Sequence, residues 1–401
     1  MNEGIRPRAY MGIVYFILVM IVMIFTFGPL QLAWGAWGAA LCELVLLFLA
    51  VVPVLLFRWD VREVFRVRIP PLRQVFGALL LWLGGYIFSF TAAAVLIYFF
   101  PESMGDVSEE MVDIFTSVPF AARLLIIAVL PAVCEEALHR GFIFHTFKNA
   151  GKWTTVIAMG IIFGLFHLHP LRFVATAILG AVLTYIMLET RNLLLPILVH
   201  FVNNALSVIL TVDATPGGET VALPLASLGI LLLPAVVAPF LLMGGSRLLL
   251  AKEERRARPV SKAVWATAII TAVVVAITGF TLIVQGVMDL LDEMELVFET
   301  TFAQEINRDT PGQELDFTVE EAGTYVLDLS IQSAQGVLTQ VVISSVNGQE
   351  VYSTTVREVS GQNNIELAAG TYAVKVSFIT ESQEPLPVSV EIVIFKSLPI
   401  G

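Results

Sequence analysis

Cysteine is nearly absent: two in 401 residues, Cys42 and Cys134, both within long apolar stretches. That excludes a disulfide framework, so any exported part of the chain has to stand on its own packed core. Charge is scarce too, at 14% of residues against 57% hydrophobic, and mean hydropathy is +0.83. Such a balance places the bulk of the chain in lipid. Basic residues thin out in two places. The connection bearing Glu102, Asp106, Glu109, Glu110 and Asp113 has none, and residues 291–401 are nearly free of them. With no basic patch beside a recognition element, nucleic acid is excluded as a partner. A His-Glu-x-x-His motif is also missing, and all five histidines lie between His139 and His200.

What is abundant is apolar sequence in long runs. Nine runs have the length of membrane-spanning helices, about 10–28, 36–57, 75–99, 119–148, 153–169, 172–189, 193–211, 223–244 and 263–289. The first, at about 18 residues, exceeds the ~7–15-residue core of a signal peptide and is read as a span. Basic loops at 58–73 and 245–262 mark the cytoplasmic side, and the acidic third connection marks the far side. The expectation is an all-α polytopic bundle of about nine transmembrane helices in the plasma membrane. Its N-terminus is cytoplasmic, and an extracytoplasmic all-β domain follows. The boundaries are scaffold helices 1–115, a polar helical core 116–211, further spans 212–290 and the β-domain 291–401. The arginine-rich strip from Phe57 to Val75 reads as an interfacial anchor on anionic membrane lipid.

Past Met288 the period changes from helical to two. Leu315-Phe317-Val319, Tyr325-Leu327-Leu329-Ile331, Val341-Ile343, Val351, Ile365-Leu367, Tyr372-Val374-Val376-Phe378 and Val388-Val390-Ile392-Ile394 predict about seven short strands and a β-sandwich. Ala322-Gly323-Thr324-Tyr325 echoes Ala369-Gly370-Thr371-Tyr372, each opening a strand. Such turns resemble those of jelly-roll carbohydrate-binding and prepeptidase-associated modules. That resemblance implies a protein or glycan ligand, with a purely stabilising domain as the alternative.

The chemistry concentrates in Cys134-Glu135-Glu136-Ala137-Leu138-His139-Arg140, set in an apolar helix from about Pro119 to Lys148. Ionisable side chains at mid-bilayer cost roughly 2.5–3.5 kcal/mol each on insertion scales, so they mark pathways or reaction sites. Residues four apart share a helix face, which pairs Glu136 with Arg140, Phe163 with His167 and His200 with Asn204. At about 1.5 Å per residue, Glu135, His200 and Asn204 lie near mid-depth and His167 roughly 9 Å off-centre, within reach of ordinary tilt. Glu135 beside a neutral His167 can deprotonate a water. His200 and Asn204 supply donors for an oxyanion, and Arg140 neutralises Glu136. The sum is amide hydrolysis in a membrane-enclosed pocket.

Glu-Glu-x-x-x-Arg at 135–140, Phe-x-x-x-His at 163–167 and His-x-x-x-Asn at 200–204, in that order, resemble the CAAX protease and bacteriocin-processing (CPBP, or Abi) family of intramembrane proteases. The resemblance covers roughly residues 115–211. It implies a glutamate-dependent endopeptidase in which Glu135 and His167 activate water, His200 and Asn204 line the oxyanion site, and Glu136, Arg140 and Phe163 support them. The implied substrate is a membrane-embedded or lipid-modified peptide. No cofactor is required on this reading.

Other chemistries start from the same residues. Glu135, His167 and His200 form a two-histidine, one-carboxylate set of the kind that ligates zinc. Cys134 is a nucleophile only if it escapes its own helix face, about 100° from Glu135. Asn203 replaces Asn204 as donor if that helix rotates. Glu43 reads as a protonated or paired structural carboxyl, His139 and His145 as interfacial or capping residues, and His169 as a helix-terminus residue. Two rival functions use these residues differently. One is a non-catalytic immunity or docking protein that binds through the β-domain; the other is a proton-coupled transporter relaying through Glu43, Glu135 and the histidines.

Overall fold

A computed structural model describes residues 6–100, 118–210, 223–292 and 295–396, which leaves the acidic connection at Glu102–Asp113 outside the described residues. The chain divides into two compact units, Met1–Val284 and Gln285–Gly401.

The first unit is helical. By length and composition five of its described helices can cross a membrane, Ala9–Leu56, Leu72–Phe99, Pro170–Thr190, Leu225–Leu249 and Lys262–Asp289, rather than the expected nine. Local features set how the apolar runs divide into helices. Ala9–Leu56 is broken at Gly35, whose φ of +55° and ψ of −134° suit glycine alone. Tyr15 then donates to the Leu49 carbonyl at 2.6 Å, and Phe16 and Val19 pack with Leu46, Ala50 and Val54. Contacts across about 34 residues require the helix to double back, so the runs at 10–28 and 36–57 become two legs of a hairpin. Two further apolar helices, Lys152–Phe166 and Leu194–Leu210, are 15 and 17 residues long. Residues 120–146 are helical throughout, but α-helical turns alternate with π-helical ones at Leu124–Val129 and Ala137–Ile143.

Small residues let these helices approach closely. A side chain at Gly160 or Gly164 would collide with Ala177 and Ala181 or with Phe173 on Pro170–Thr190, a spacing that membrane helices use to bring backbones together. The polar core of the unit is held between this pair, residues 120–146 and Leu194–Leu210.

The second unit is all-β. Eight antiparallel strands form two sheets, in the orders β1-β8-β3-β6 and β2-β7-β4-β5. They are β1 (Glu295–Ile306), β2 (Gln313–Val319), β3 (Gly323–Ser333), β4 (Leu338–Ser345), β5 (Glu350–Val356), β6 (Glu358–Leu367), β7 (Gly370–Ile379) and β8 (Leu386–Lys396). Alternate residues from both sheets, among them Phe317, Val341 and Tyr372 from one and Leu327, Ile365 and Ile392 from the other, fill a single core. The echoed tyrosines act alike. Tyr325 donates to the Glu321 carbonyl at 2.6 Å and Tyr372 to the Ala368 carbonyl at 3.1 Å, each pinning the turn before its strand. Alternation alone predicts seven strands. The eighth, β1, escapes the pattern because Thr300 and Gln304 interrupt its less exposed face and a bulge lies between Leu296 and Phe298.

Candidate active site

The site is built from three helical segments around one phenyl ring. Glu135, Glu136, His139 and Arg140 come from residues 120–146, Phe163 and His167 from Lys152–Phe166 and its C-cap, and His200 and Asn204 from Leu194–Leu210. Phe163 is fully buried. The rings of His139, His167 and His200 meet it edge-on, with centroids 5.1, 5.1 and 5.7 Å away. The Arg140 guanidinium lies 4.5 Å over its face. Gly180 makes room for the ring, since a Cβ there would stand 2.6 Å from the Phe163 Cβ.

Glu136 anchors the polar network. One of its oxygens, Oε1, accepts from Arg140 Nη1 at 2.7 Å and from His200 Nδ1 at 2.9 Å. Arg140 Nη2 donates to the Gly180 carbonyl at 2.8 Å. All of this lies out of solvent, with Glu136 and Arg140 at 0% exposure and His200 at 2%. The sequence pairs Glu136 with Arg140 and assigns it to organising the helix. The structure gives it a second role, holding His200 across 64 residues of chain.

Those partners fix proton positions. A carboxylate oxygen already paired with a guanidinium accepts, so His200 Nδ1 carries a hydrogen and neutral His200 presents Nε2 as a lone pair. His167 Nδ1 lies 3.0 Å from the Phe163 carbonyl and His139 Nδ1 2.9 Å from the Glu135 carbonyl. A carbonyl only accepts, so both rings likewise turn an unprotonated Nε2 away from the backbone.

Glu135 is the loose end. It is 8% exposed, and its Oε2 is buried with no hydrogen-bond partner. That oxygen stands 4.0 Å from His200 Nε2. The gap is too long for a direct hydrogen bond, yet one water at about 2.8 Å can touch both atoms. Glu43, from the second leg of the N-terminal hairpin, is near enough for its charge to act on Glu135, and its own Oε2 is buried without a partner.

Asn204 is less available than its spacing implies. Its Nδ2 donates to the Ile127 carbonyl at 3.0 Å, and its Oδ1 accepts from Asn203 Nδ2 at 3.2 Å. Asn203 Oδ1 in turn accepts from Trp82 Nε1 at 3.1 Å. Asn203 therefore orients Asn204 and does not substitute for it. One Nδ2 hydrogen of Asn204 remains for another acceptor.

One expectation is corrected by the structure. His139 is at 0% exposure against Phe163 and Phe166, not interfacial; its i+4 position after Glu135 was the available signal. Glu43 and Trp82 belong with the site although no motif surrounds them. Cys134 is buried in the packing of the N-terminal hairpin with Leu46 and Ala50, away from a nucleophile's position. His145 does sit at the end of its helix, beside Glu63 and Lys148, and His169 caps Pro170–Thr190. Among the described residues no three His, Cys, Asp or Glu side chains converge closely enough to hold a metal ion.

Residues 117–206 match the family model described as type II CAAX prenyl endopeptidase, Rce1-like. The matched segment contains every site residue named above except Glu43 and Trp82. No curated protein matches the chain. The match points to a protease of the CAAX type, and together with the apolar helices it marks a multi-pass membrane protein.

Proposed function

We propose that the protein is an intramembrane glutamic endopeptidase that cleaves a peptide bond in a membrane-embedded or lipid-modified, CAAX-like or leader peptide. The observation that carries this is the 4.0 Å gap between Glu135 Oε2, buried without a hydrogen-bond partner, and His200 Nε2. A water there gives one proton to Glu135 as its oxygen attacks the carbonyl carbon. Its second hydrogen passes to His200 Nε2, and Glu135 returns its proton to the leaving amine as the C–N bond breaks. The reacting carbonyl draws its oxyanion stabilisation from the free Asn204 hydrogen and from His200 once that ring is protonated. Glu136 stabilises the resulting imidazolium, as a buried carboxylate does for a catalytic histidine. His167, whose ring stands edge-on to the same Phe163 ring as His200, is assigned to assist in activating the water.

Catalysis on this reading uses no metal or other cofactor, and the partners are the peptide substrate and membrane lipid. We assign the N-terminus to the cytoplasm and the β-unit to the far side of the plasma membrane, on the basic loops at 58–73 and 245–262. The strand order 1-8-3-6 over 2-7-4-5 supports a jelly-roll reading of that unit, with a protein or glycan ligand as its proposed use.

The test is cleavage of synthetic peptides by the full chain in lipid nanodiscs. The prenylated peptide is expected to be cut, and Glu135→Gln to abolish cutting with an unchanged melting temperature. Full cleavage by Glu135→Gln would refute the mechanism.

A further inference from the structure

At one end of the helical unit, where the helix carrying Glu135 finishes, a cavity of about 190 Å³ is lined by Glu63, Arg66, His145, Lys148 and Arg191, with Phe144 among its apolar walls. That volume is below the ~300–1,000 Å³ of drug-sized ligand pockets and suits a small charged group. Its charge is one-sided: three permanent cations face a single carboxylate. Glu63 is within 3.8 Å of Lys148 and 4.0 Å of His145. Among the described residues Arg66 and Arg191 enter no ion pair.

The backbone that carries Arg66 and Arg191 is fixed in place. Asn192 clamps the strand of chain bearing Arg66, accepting from the Arg68 amide at 3.0 Å and donating to its carbonyl at 2.8 Å, while the Leu193 amide donates to the Arg66 carbonyl at 2.8 Å. Arg191 caps Pro170–Thr190 with a left-handed φ of +49°, a position where glycine or asparagine is the usual occupant. Its guanidinium lies 5.7 Å from the Phe144 ring centroid. The carbonyl ends of two helices offset part of the positive charge, but each supplies only about half an elementary charge. A surplus remains in a walled cup at a level where arginine-rich sequence marks the membrane surface.

We propose that this cup binds a phosphate-class anion, the headgroup of an anionic phospholipid. Basic pockets between helices at the cytoplasmic surface recognise such headgroups through charge-assisted hydrogen bonds. The bound phosphate bridges Arg66 in the connecting strip, Lys148 beyond the site helix and Arg191 after Pro170–Thr190, tying together three segments that meet beneath the site. This does not depend on the protease reading.

The test uses the full chain in neutral detergent, with its melting temperature and native mass spectrum recorded during titration with phosphatidylglycerol, phosphatidylcholine or inorganic phosphate. Phosphatidylglycerol is expected to raise the melting temperature and remain bound, and phosphatidylcholine to do neither. Arg66→Gln combined with Arg191→Gln should weaken phosphatidylglycerol binding roughly 30-fold, the loss for two cations beside a headgroup. Lys252→Gln with Arg256→Gln, outside the cup, should leave it within about twofold. If the double cup variant does not fold, Lys148→Gln, whose ion pair is solvent-exposed, takes its place with a smaller loss in the same direction. An equal shift from inorganic phosphate, lost in the same variants, supports the site and assigns it to free phosphate. Phosphatidylglycerol binding that is unchanged in the cup variants, or absent from the intact protein, overturns the proposal.

Discussion

His200 gives its Nδ1 hydrogen to Glu136 across 2.9 Å, on the same oxygen that takes Arg140 at 2.7 Å. This one bond joins the helix of the carboxyl pair to the helix of the third motif. It also makes the two adjacent glutamates unequal. Glu136 is spent on structure and orientation, and Glu135 is left with an unpartnered oxygen.

Glu136→Ala should therefore cost both stability and activity. Removing it leaves Arg140 buried and uncompensated, which costs about 3–5 kcal/mol. Glu135→Gln should leave the melting temperature within about 1–2 °C, because no hydrogen bond to its Oε2 is lost. Melting both variants side by side in detergent checks the division of labour, and equal destabilisation by the two would contradict it.

Phe163→Ala removes the ring on which three histidines and the guanidinium rest. A cavity of this kind costs about 3–5 kcal/mol, and cleavage should fall even under conditions where the variant stays folded. Phe163→Leu should recover much of the stability and less of the activity, since it fills volume without presenting an aromatic face. A combined melting and kinetic comparison separates the two effects.

Gly180→Val tests the same packing from the opposite side. Its new side chain meets Phe163 at 2.6 Å from the first carbon onward, and such overpacking costs about 1–3 kcal/mol. Gly180→Ala should show the smaller loss of the two. No change in melting for either would mean that the helices separate freely at this crossing.

Gly35→Ala probes the hairpin. An alanine held at φ +55° and ψ −134° is strained by roughly 1–3 kcal/mol, so the melting temperature should fall. Gly28→Ala, which meets nothing within 4 Å, serves as the control and should not lower it.

Much of this arrangement could be read from the residues alone. Period-two alternation located seven of eight strands, and β1 was lost where Thr300 and Gln304 stand in its less exposed face. The i, i+4 rule joined Glu136 to Arg140 because that rule concerns neighbours on one helix. It is blind to contacts between helices, so the bond from Glu136 to His200 was invisible, as were Trp82 on Asn203 and Glu43 near Glu135. Hydropathy counts apolar runs and separates 10–28 from 36–57, the two legs that meet at Gly35, but a run's composition does not show that the site helix is interrupted by π turns. His139 was misread because a histidine near charged neighbours has the same composition whether it faces water or a phenylalanine ring.

The most direct measurement of the central claim is a survey of new N-termini and released peptides in native membranes carrying either the intact protein or Glu135→Ala at matched expression. The account predicts fragments found only with the intact protein, cut within or beside a membrane-embedded or lipidated segment. The same fragments in both membranes, with both proteins folded, would show that Glu135 does not activate the water and would contradict it.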